Sequence, residues 1–434
     1  ELYERVFNEY GDDSVAQLGG VHLACEGASN ILTKVLEWGR LMAYLEQSTR
    51  YVPYTDRPGG RWKYHVPSEL EGSPLRERYV EVLDRAFETY ARWLDPMREH
   101  LSARYPKSPG ESESVYRMTI RAKALDTLRG LLPAATRSNV GIYGTGQAYE
   151  ALLLRMRSHP LSEVREYAEL MLAELRKVIP AFLTRVDRPD RGGVWSEYLS
   201  ETRQATDAVG AKLLSGIEPE PRAEVELTDF DPDGEIKVVA AALYAASDLP
   251  DGQLLAIARR MTPEERKAVL TAYVGRRANR RHKPGRAFER TVYRFDILAD
   301  YGAFRDLQRH RLLTLEWQPL SPRHSYMTPE AIEGAGALEE WHRVMEESAA
   351  LYDALKSEGL ELVAPYAVAM AYRVRFYMEM NAREAMHRLI AERAGHRAIA
   401  EAMIYADHSE VELERLEAER AAERRRQAAQ RGTP

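Results

Sequence analysis

The sequence predicts an α+β protein in which helix dominates and strand is the minority. Two kinds of segment carry this prediction. Long stretches place apolar residues at helical spacing among Ala, Leu, Glu and Arg, as in VREYAELMLAELRKVIPAFL at 164–183 and ALEEWHRVMEESAALYDAL at 337–355. Strand signal is sparse: AEVELTDF at 223–230 alternates apolar and polar residues, and ERTVYRFDILADYG at 289–302 is rich in β-branched and aromatic types. With 434 residues, 44% of them hydrophobic, the chain can bury two or three domain-sized cores.

In chain order, the opening ELYERVF reads as helix, so residues upstream of Glu1 are expected. The lone Cys25 falls in an apolar stretch read as helical and is assigned as a core thiol. Glu46, Ser48 and Arg50 of EQSTRY alternate, so an extended chain would put an acceptor, a hydroxyl and a guanidinium fork on one face. GIYGTGQ, with Gly144 and Gly146, has the outline of a dinucleotide loop, but no preceding strand is predicted and no acidic residue follows. The first domain is placed at 1–185. The Gly-, Pro- and Ser-rich text of 186–222 reads as a linker, and a second domain spans 223–410. Within it KVVAAALYAA at 237–246 is apolar but too short to span a bilayer. Arg309, His310 and Arg311 follow an apolar segment read as extended, with Arg305 before them and Arg323 and His324 after. Such guanidinium groups suit a nucleotide or pyrophosphate ligand, with a surface salt-bridge network as the alternative. AVAMAYRVRFYMEM at 367–380 is read as core. From 411 to 434 mixed Glu and Arg suggest an exposed helix fraying into a disordered end.

Charge narrows the function classes. Lys and Arg number 61 against 67 acids, a formal net charge of −6, so the chain is neither a globally basic nucleic-acid binder nor an acidic disordered polymer. The one concentrated basic loop, GRRANRRHKPGR at 275–286, lacks interleaved aromatics. It reads as solvated or phosphate-facing, with a nucleic-acid contact as the alternative. One Cys excludes a disulfide framework and fits a reducing cytoplasm. No metal site is predicted.

The halves share an order of parts. The first runs GDDSVAQLGGVHL, EWGRLMAYLEQSTRYVPY, TLRGLLPAAT, AYEALLLRMRSHPLSEVREYAE; the second runs RRHKPGRAFERTVYRF, FRDLQRHRLLTLEWQPLSPRHSY, ELVAPYAVA, NAREAMHRLIAERAGHRAIAE. Duplication of one ancestral domain explains this order.

On these segments the chain resembles the flavin-dependent thymidylate synthases, whose signature is Arg-His-Arg, seven residues, then Ser, commonly extended as Asn-Glu-x-Ser-x-Arg-Tyr. Aligned on Ser48, the first half has Trp38, Gly39 and Arg40 at the triplet, while LEQSTRY keeps Glu46, Ser48, Arg50 and Tyr51. The second half keeps the triplet Arg309, His310, Arg311 but has Pro319 at the Ser position and Ser321 two residues later. TLRGLLP supplies Arg129 four residues before Pro133, the family's nucleotide-phosphate position; VAP puts Glu361 there in the second half. NAREAMH supplies Asn381, Arg383 and His387 at the family's flavin contacts, where the first half has GTGQAYE. Arg155, or Arg157 in an alternative register, aligns with a nucleotide-binding arginine, and Arg393 is its less well matched counterpart.

The resemblance implies two tandem copies of the family's fold, helix-rich with small antiparallel sheets, the first copy lacking its N-terminal strand. It implies transfer of a methylene from methylenetetrahydrofolate to dUMP and its reduction by FAD hydride, with NADPH recharging the flavin. Glu46, Ser48 and Arg50 would act at the base, Arg129, Arg155, Gln47 and Tyr51 would bind substrate, and Arg40, Arg309, His310, Arg311, Asn381, Arg383 and His387 would hold flavin. Because the family builds its sites between subunits of a homotetramer, a cytoplasmic homodimer of tandem chains acting as a pseudo-tetramer is expected, with no membrane contact. A homologue that binds flavin or nucleotide without making dTMP is the alternative.

Overall fold

A computed structural model describes residues 15–279, 281–385 and 388–404. The expected opening helix, the tail at 411–434, Arg280 and His387 lie outside these residues. The strands are β1 (Gly20–Ser29), β2 (Met42–Glu46), β3 (Arg137–Thr145), β4 (Val225–Phe230), β5 (Val292–Asp300), β6 (Thr314–Trp317) and β7 (Arg373–Asn381). The principal helices are α1 (Asn30–Leu36), α2 (Leu75–Arg104), α3 (Glu113–Leu128), α4 (Gly146–Arg157), α5 (Ser162–Arg176), α6 (Val194–Leu213), α7 (Gly234–Tyr244), α8 (Asp251–Arg260), α9 (Pro263–Val274), α10 (Tyr301–Gln308) and α11 (Leu338–Ser357).

Two compact units emerge, and they interleave the chain rather than dividing it at 186–222. The first takes the stretch up to Pro221 together with Leu298–Arg311 and Gln318–Arg375; the second takes Arg222–Ile297, Leu312–Trp317 and the chain from Phe376 on. Residues 186–222 themselves carry α6, a 20-residue helix.

The first unit is organised on a three-stranded antiparallel sheet of order β1-β3-β2. Ser29 ends β1 and starts α1, its hydroxyl accepting from the Leu32 amide and satisfying one of the helix's open donors. The long α2 buries Tyr79, Val82, Leu83, Ala86, Phe87 and Tyr90, a stripe at helical spacing. Cys25 lies in β1, not in a helix, because Gly, Ala and Cys give this strand little β signature. In the second unit a sheet of order β4-β5-β7-β6 is accompanied by α7, α8 and α9, and α9 opens with a reciprocal capping box between Thr262 and Glu265.

Strand registers establish the repeat. Ala43 pairs with Tyr143 in the first copy as Thr314 pairs with Glu379 in the second. The amide of Gln47 donates to the Asn139 carbonyl at 2.8 Å as that of Gln318 donates to Arg375 at 2.9 Å. Trp38, Gly39 and Arg40 thus correspond to Arg309, His310 and Arg311, and Ser48 corresponds to Pro319.

Within the first unit the two copies meet through a local twofold exchange. Ala134 N donates to Val368 O at 2.8 Å and Met370 N to Leu132 O at 2.9 Å; Ala135 N donates to Tyr366 O and Ala371 N to Gly130 O, each at 3.0 Å. The counterpart of Pro133 is therefore Ala369, with which it forms a β-bridge, and Pro365 rather than Glu361 stands at the place of Arg129. Matching the two prolines put the expected register four residues out; the strands that follow set it. At this junction a Cβ on Gly130 would lie 2.5 Å from the Trp341 ring and 3.0 Å from the Ala371 Cβ. Gly130→Ala is accordingly expected to cost about 1–3 kcal/mol through overpacking, read as a lowered denaturation midpoint in urea.

Candidate nucleotide site

Helix α10, not the expected extended segment, precedes the Arg-His-Arg triplet; Asp300 caps it by accepting from Ala303 N, and Arg309 is its C-cap. Four residues before Arg309, on the same face of the helix, is Arg305. Its side chain is 5% exposed and pairs with Glu46, whose side chain is 2% exposed. Lys34 Nζ lies 3.4 Å from Glu46 and 2.8 Å from Glu37, and Arg309 lies 3.6 Å from Glu46. Lys34 and Arg305 occupy equivalent positions of the two copies, so equivalent cations meet at a single carboxylate, and Arg309 adds a third. Burial alone would raise Glu46, but the charges of Arg305, Lys34 and Arg309 outweigh it and hold the group at about 2. Glu37 is raised by burial, which Lys34 only partly opposes.

Asp306 gathers three of the predicted residues at the edge of this network. It lies 3.0 Å from Arg309, 3.2 Å from Arg50 and 3.8 Å from Arg129, which also meets Asp126 at 3.2 Å. Arg129 passes so close to Gly302 that a Cβ there would sit 3.0 Å from its Nε. Sequence reasoning did not assign Lys34 or Asp306; the four-residue spacing from Arg305 to Arg309 was the available signal for a shared helix face.

The expected common face of Glu46, Ser48 and Arg50 is not formed. β2 ends at Glu46, and the chain then turns: the Ser48 carbonyl accepts from Tyr51 N and Val52 N, and its hydroxyl accepts from Arg50 N at 3.2 Å. A Ser that can bond its own downstream backbone favours this turn over continued strand. Gln47 is held by Asn139 Nδ2 at 2.8 Å, while Tyr51 is 66% exposed.

Arg155, at the end of α4, lies with its guanidinium 4.7 Å from the centre of the Trp38 ring. Its Nε and one terminal nitrogen are buried with no acceptor, and burial lowers its pKa. Nearby, His159 is brought down to about 4, first by burial and then by Arg203, Arg165 and Arg155. A guanidinium withdrawn from water with no acceptor is costly, and the imidazole beside it is neutral. Arg157 is committed to Glu169 at 2.7 Å and Asp187 at 3.0 Å.

The flavin assignments fall in both units. In the first, Arg40 and His310 are exposed and Arg311 donates to the Met42 carbonyl at 3.2 Å. In the second, Asn381 Oδ1 accepts from Glu384 N at 2.9 Å, and Arg383 donates to the Pro284 carbonyl at 3.0 Å and to Glu289 at 3.3 Å.

Other sequence signals resolve locally. Gly144 lies in β3 and Gly146 follows it, but the strand is antiparallel, and Met42 and Phe182 fill the space a phosphate would need, 2.9 and 2.7 Å from the Cβ positions. In the basic loop Arg277 donates to the carbonyls of His282 and Met403, Lys283 to Glu384 and Arg286 to Glu289, which ties these groups to the protein. Cys25 is buried and its thiol is pushed up to about 12 by burial, as a core thiol should be. Among the described residues no group of acidic, His and Cys side chains could hold a metal, and no helix is long and apolar enough to cross a membrane.

The repeated strand–helix–strand core defines a duplicated α+β protein with small antiparallel sheets. The family model described as "Thymidylate synthase complementing protein" matches residues 1–181 and 226–416, and the chain belongs to this family. A UPF0159 protein of Chlamydia muridarum is 36% identical over 385 residues, 88% of this chain and 73% of that one. A flavin-dependent thymidylate synthase of Clostridium tetani is 26% identical over 174 residues, 39% of this chain and 64% of that one, in line with the resemblance drawn from the motifs. Among solved structures, the flavin-dependent thymidylate synthase ThyX from Helicobacter pylori, complexed with FAD and dUMP, has 18% identity, covers 40% of this chain and 91% of its own, and gives a TM-score of 0.26, at which no residue correspondences are drawn.

Proposed function

We propose that the chain is a flavin-dependent thymidylate synthase, converting dUMP to dTMP with methylenetetrahydrofolate as carbon donor and NADPH as the source of reducing equivalents. Family membership supports the class of reaction. The observation that carries the reading is Arg155: a buried guanidinium with open donors, at the position the motif assigned to nucleotide, is costly unless an anion completes it.

Arg155 and Arg129 hold the nucleotide phosphate in this reading, and Arg50, Ser48, Gln47 and Tyr51 face the base. Glu46 is a positioning residue: ionised and fixed by Arg305, it anchors Arg309 at the edge of the network. The residues present fit a phosphate-bearing cofactor, because the His310 ring is exposed and the Asn381 side-chain amide nitrogen has no hydrogen bond among the described residues. Arg40, Arg309, His310, Arg311, Asn381, Arg383 and His387 are the residues that would hold FAD in this reading. When bound, the flavin supplies the hydride chemistry.

Under the same reading two tandem chains form a homodimer that reproduces a tetramer of repeats, an idea supported by the twofold exchange between copies around Pro133 and Ala369. The test is visible absorbance of the purified protein titrated with FAD and then dUMP, followed by native mass spectrometry. Stoichiometric flavin, a dUMP-induced spectral change and a dimer are expected. Failure to bind either ligand would overturn the proposed activity, and a monomer with full flavin occupancy would overturn the dimer.

A further inference from the structure

The first unit holds a cavity of about 670 Å³ whose lining includes Arg57, Arg61, Trp62, Tyr64, Arg76 and Arg137. One wall is the segment 57–66, fastened to the start of β3: Tyr64 bridges to Thr136, His65 N donates to Ala135 O at 2.8 Å, and Arg137 N donates to Lys63 O at 2.8 Å. The other wall is the first part of α2, from Arg76 to Asp84. None of these side chains belongs to the network around Glu46 or to the surroundings of Arg155.

Several lining groups are already satisfied. Arg57 pairs with Glu88 at 3.3 Å, Lys63 pairs with Asp56, and the Tyr64 hydroxyl donates to Asp84 at 2.7 Å. Others are not. The side chains of Arg61, Arg76 and Arg137, all exposed, line the cavity and make no hydrogen bond or ion pair among the described residues. Trp62 is 7% exposed, clamped between the Arg57 guanidinium at 3.9 Å and the Phe87 ring at 5.5 Å. Its Nε1 is buried and has no hydrogen-bond partner. A buried indole N–H is ordinarily bonded, but this one is closed off from the accessible space, so Trp62 offers the cavity ring surface rather than a donor.

Glu77, Glu81 and Asp84 also line the cavity. They disfavour a polyanion and favour a ligand with one oxyanion group and an otherwise uncharged body. The volume suits a small molecule, and Trp62, Tyr64 and Val80 offer ring and aliphatic surface for a planar part.

We propose that this cavity binds a small planar oxyanion, an aromatic phosphate or carboxylate, held by Arg61, Arg76 and Arg137, with the Trp62 ring as apolar surface for the planar part. This goes beyond the nucleotide reading and does not depend on it. The test is calorimetric titration of the full chain with phenyl phosphate in the presence of saturating dUMP, with benzoate and inorganic phosphate as comparison probes. One site per chain is expected to persist under dUMP, with inorganic phosphate weaker than phenyl phosphate because it lacks the planar body. Benzoate binding at the same site would identify a carboxylate as an acceptable oxyanion, and benzoate exclusion would identify phosphate. Removing two charged donors in the Arg76→Ala, Arg137→Ala double variant should weaken phenyl phosphate at least about tenfold. Both side chains are exposed, and Arg61→Ala provides an independent variant with the same expectation. Absence of phenyl phosphate binding would overturn the proposal, as would binding that dUMP displaces and that the double variant and Arg61→Ala leave unchanged. If the nucleotide reading alone failed, Arg155→Leu would change no ligand affinity while the dependence on Arg76 and Arg137 would remain.

Discussion

Arg305→Ala should destabilise the protein by about 3–5 kcal/mol, the usual cost of removing one partner from a buried ion pair. The reason is geometric. The Glu46 carboxylate is withdrawn from water, and Arg305 is the partner that contacts it most directly; Lys34 at 3.4 Å and Arg309 at 3.6 Å are longer contacts that compensate only in part. Urea denaturation followed by circular dichroism measures the loss, and an unchanged midpoint would contradict it. The pH dependence follows from the same pair. Glu46 sits at about 2 when folded, against an ordinary 4.5, so the folded state binds this proton less readily than the unfolded chain does. Its contribution is fully present above the ordinary value and is lost as pH falls from there toward about 2. Integrated over that shift it amounts to roughly 3 kcal/mol, similar to the cost expected for the Arg305 variant. Arg305→Ala should therefore also flatten the loss of stability in acid.

Arg155→Leu is expected to move binding and stability in opposite directions. Losing a desolvated, charged donor to phosphate should weaken dUMP about a hundredfold or more, corresponding to roughly 3 kcal/mol. The apo protein should be no less stable and is expected to gain slightly, since the variant removes a buried charge with unsatisfied nitrogens and keeps apolar contact with Trp38. A purely structural arginine would behave otherwise: its removal would lower the denaturation midpoint and leave dUMP affinity intact. Calorimetric titration with dUMP and urea denaturation on the same preparation separate the two.

Helices such as 164–183 and 337–355 were legible because their apolar residues repeat at helical spacing over several turns, and β4 and β5 because they carry alternating or β-branched residues. β1 was not: GVHLACEGAS is made largely of small residues, and only the ladder with β3 shows it to be a strand. The motifs singled out Arg50, Arg129, Arg155 and Arg309 as candidates by residue type and order, but their arrangement depends on contacts far apart in sequence. Arg305 and Glu46 are 259 positions apart, and no local pattern announces that the second copy supplies the cation for the first copy's carboxylate. Ser48 illustrates the complementary limit. Alternation with Glu46 and Arg50 suggested one extended face, yet the bond its hydroxyl accepts from Arg50 N favours a turn. The repeat and its register at the Arg-His-Arg segment were readable, but the register at the proline segment was not, because the prolines at 133 and 365 are not equivalent positions.

The most direct test of the proposed synthase activity is a single-turnover experiment with the protein loaded with reduced FAD, mixed anaerobically with dUMP and methylenetetrahydrofolate and analysed for dTMP. The proposal predicts flavin oxidation that requires both dUMP and methylenetetrahydrofolate, one dTMP per flavin oxidised, and loss of both signals in Arg155→Leu at dUMP concentrations that saturate the unaltered chain. Flavin that stays reduced in the complete mixture, with dUMP recovered unchanged, would contradict it.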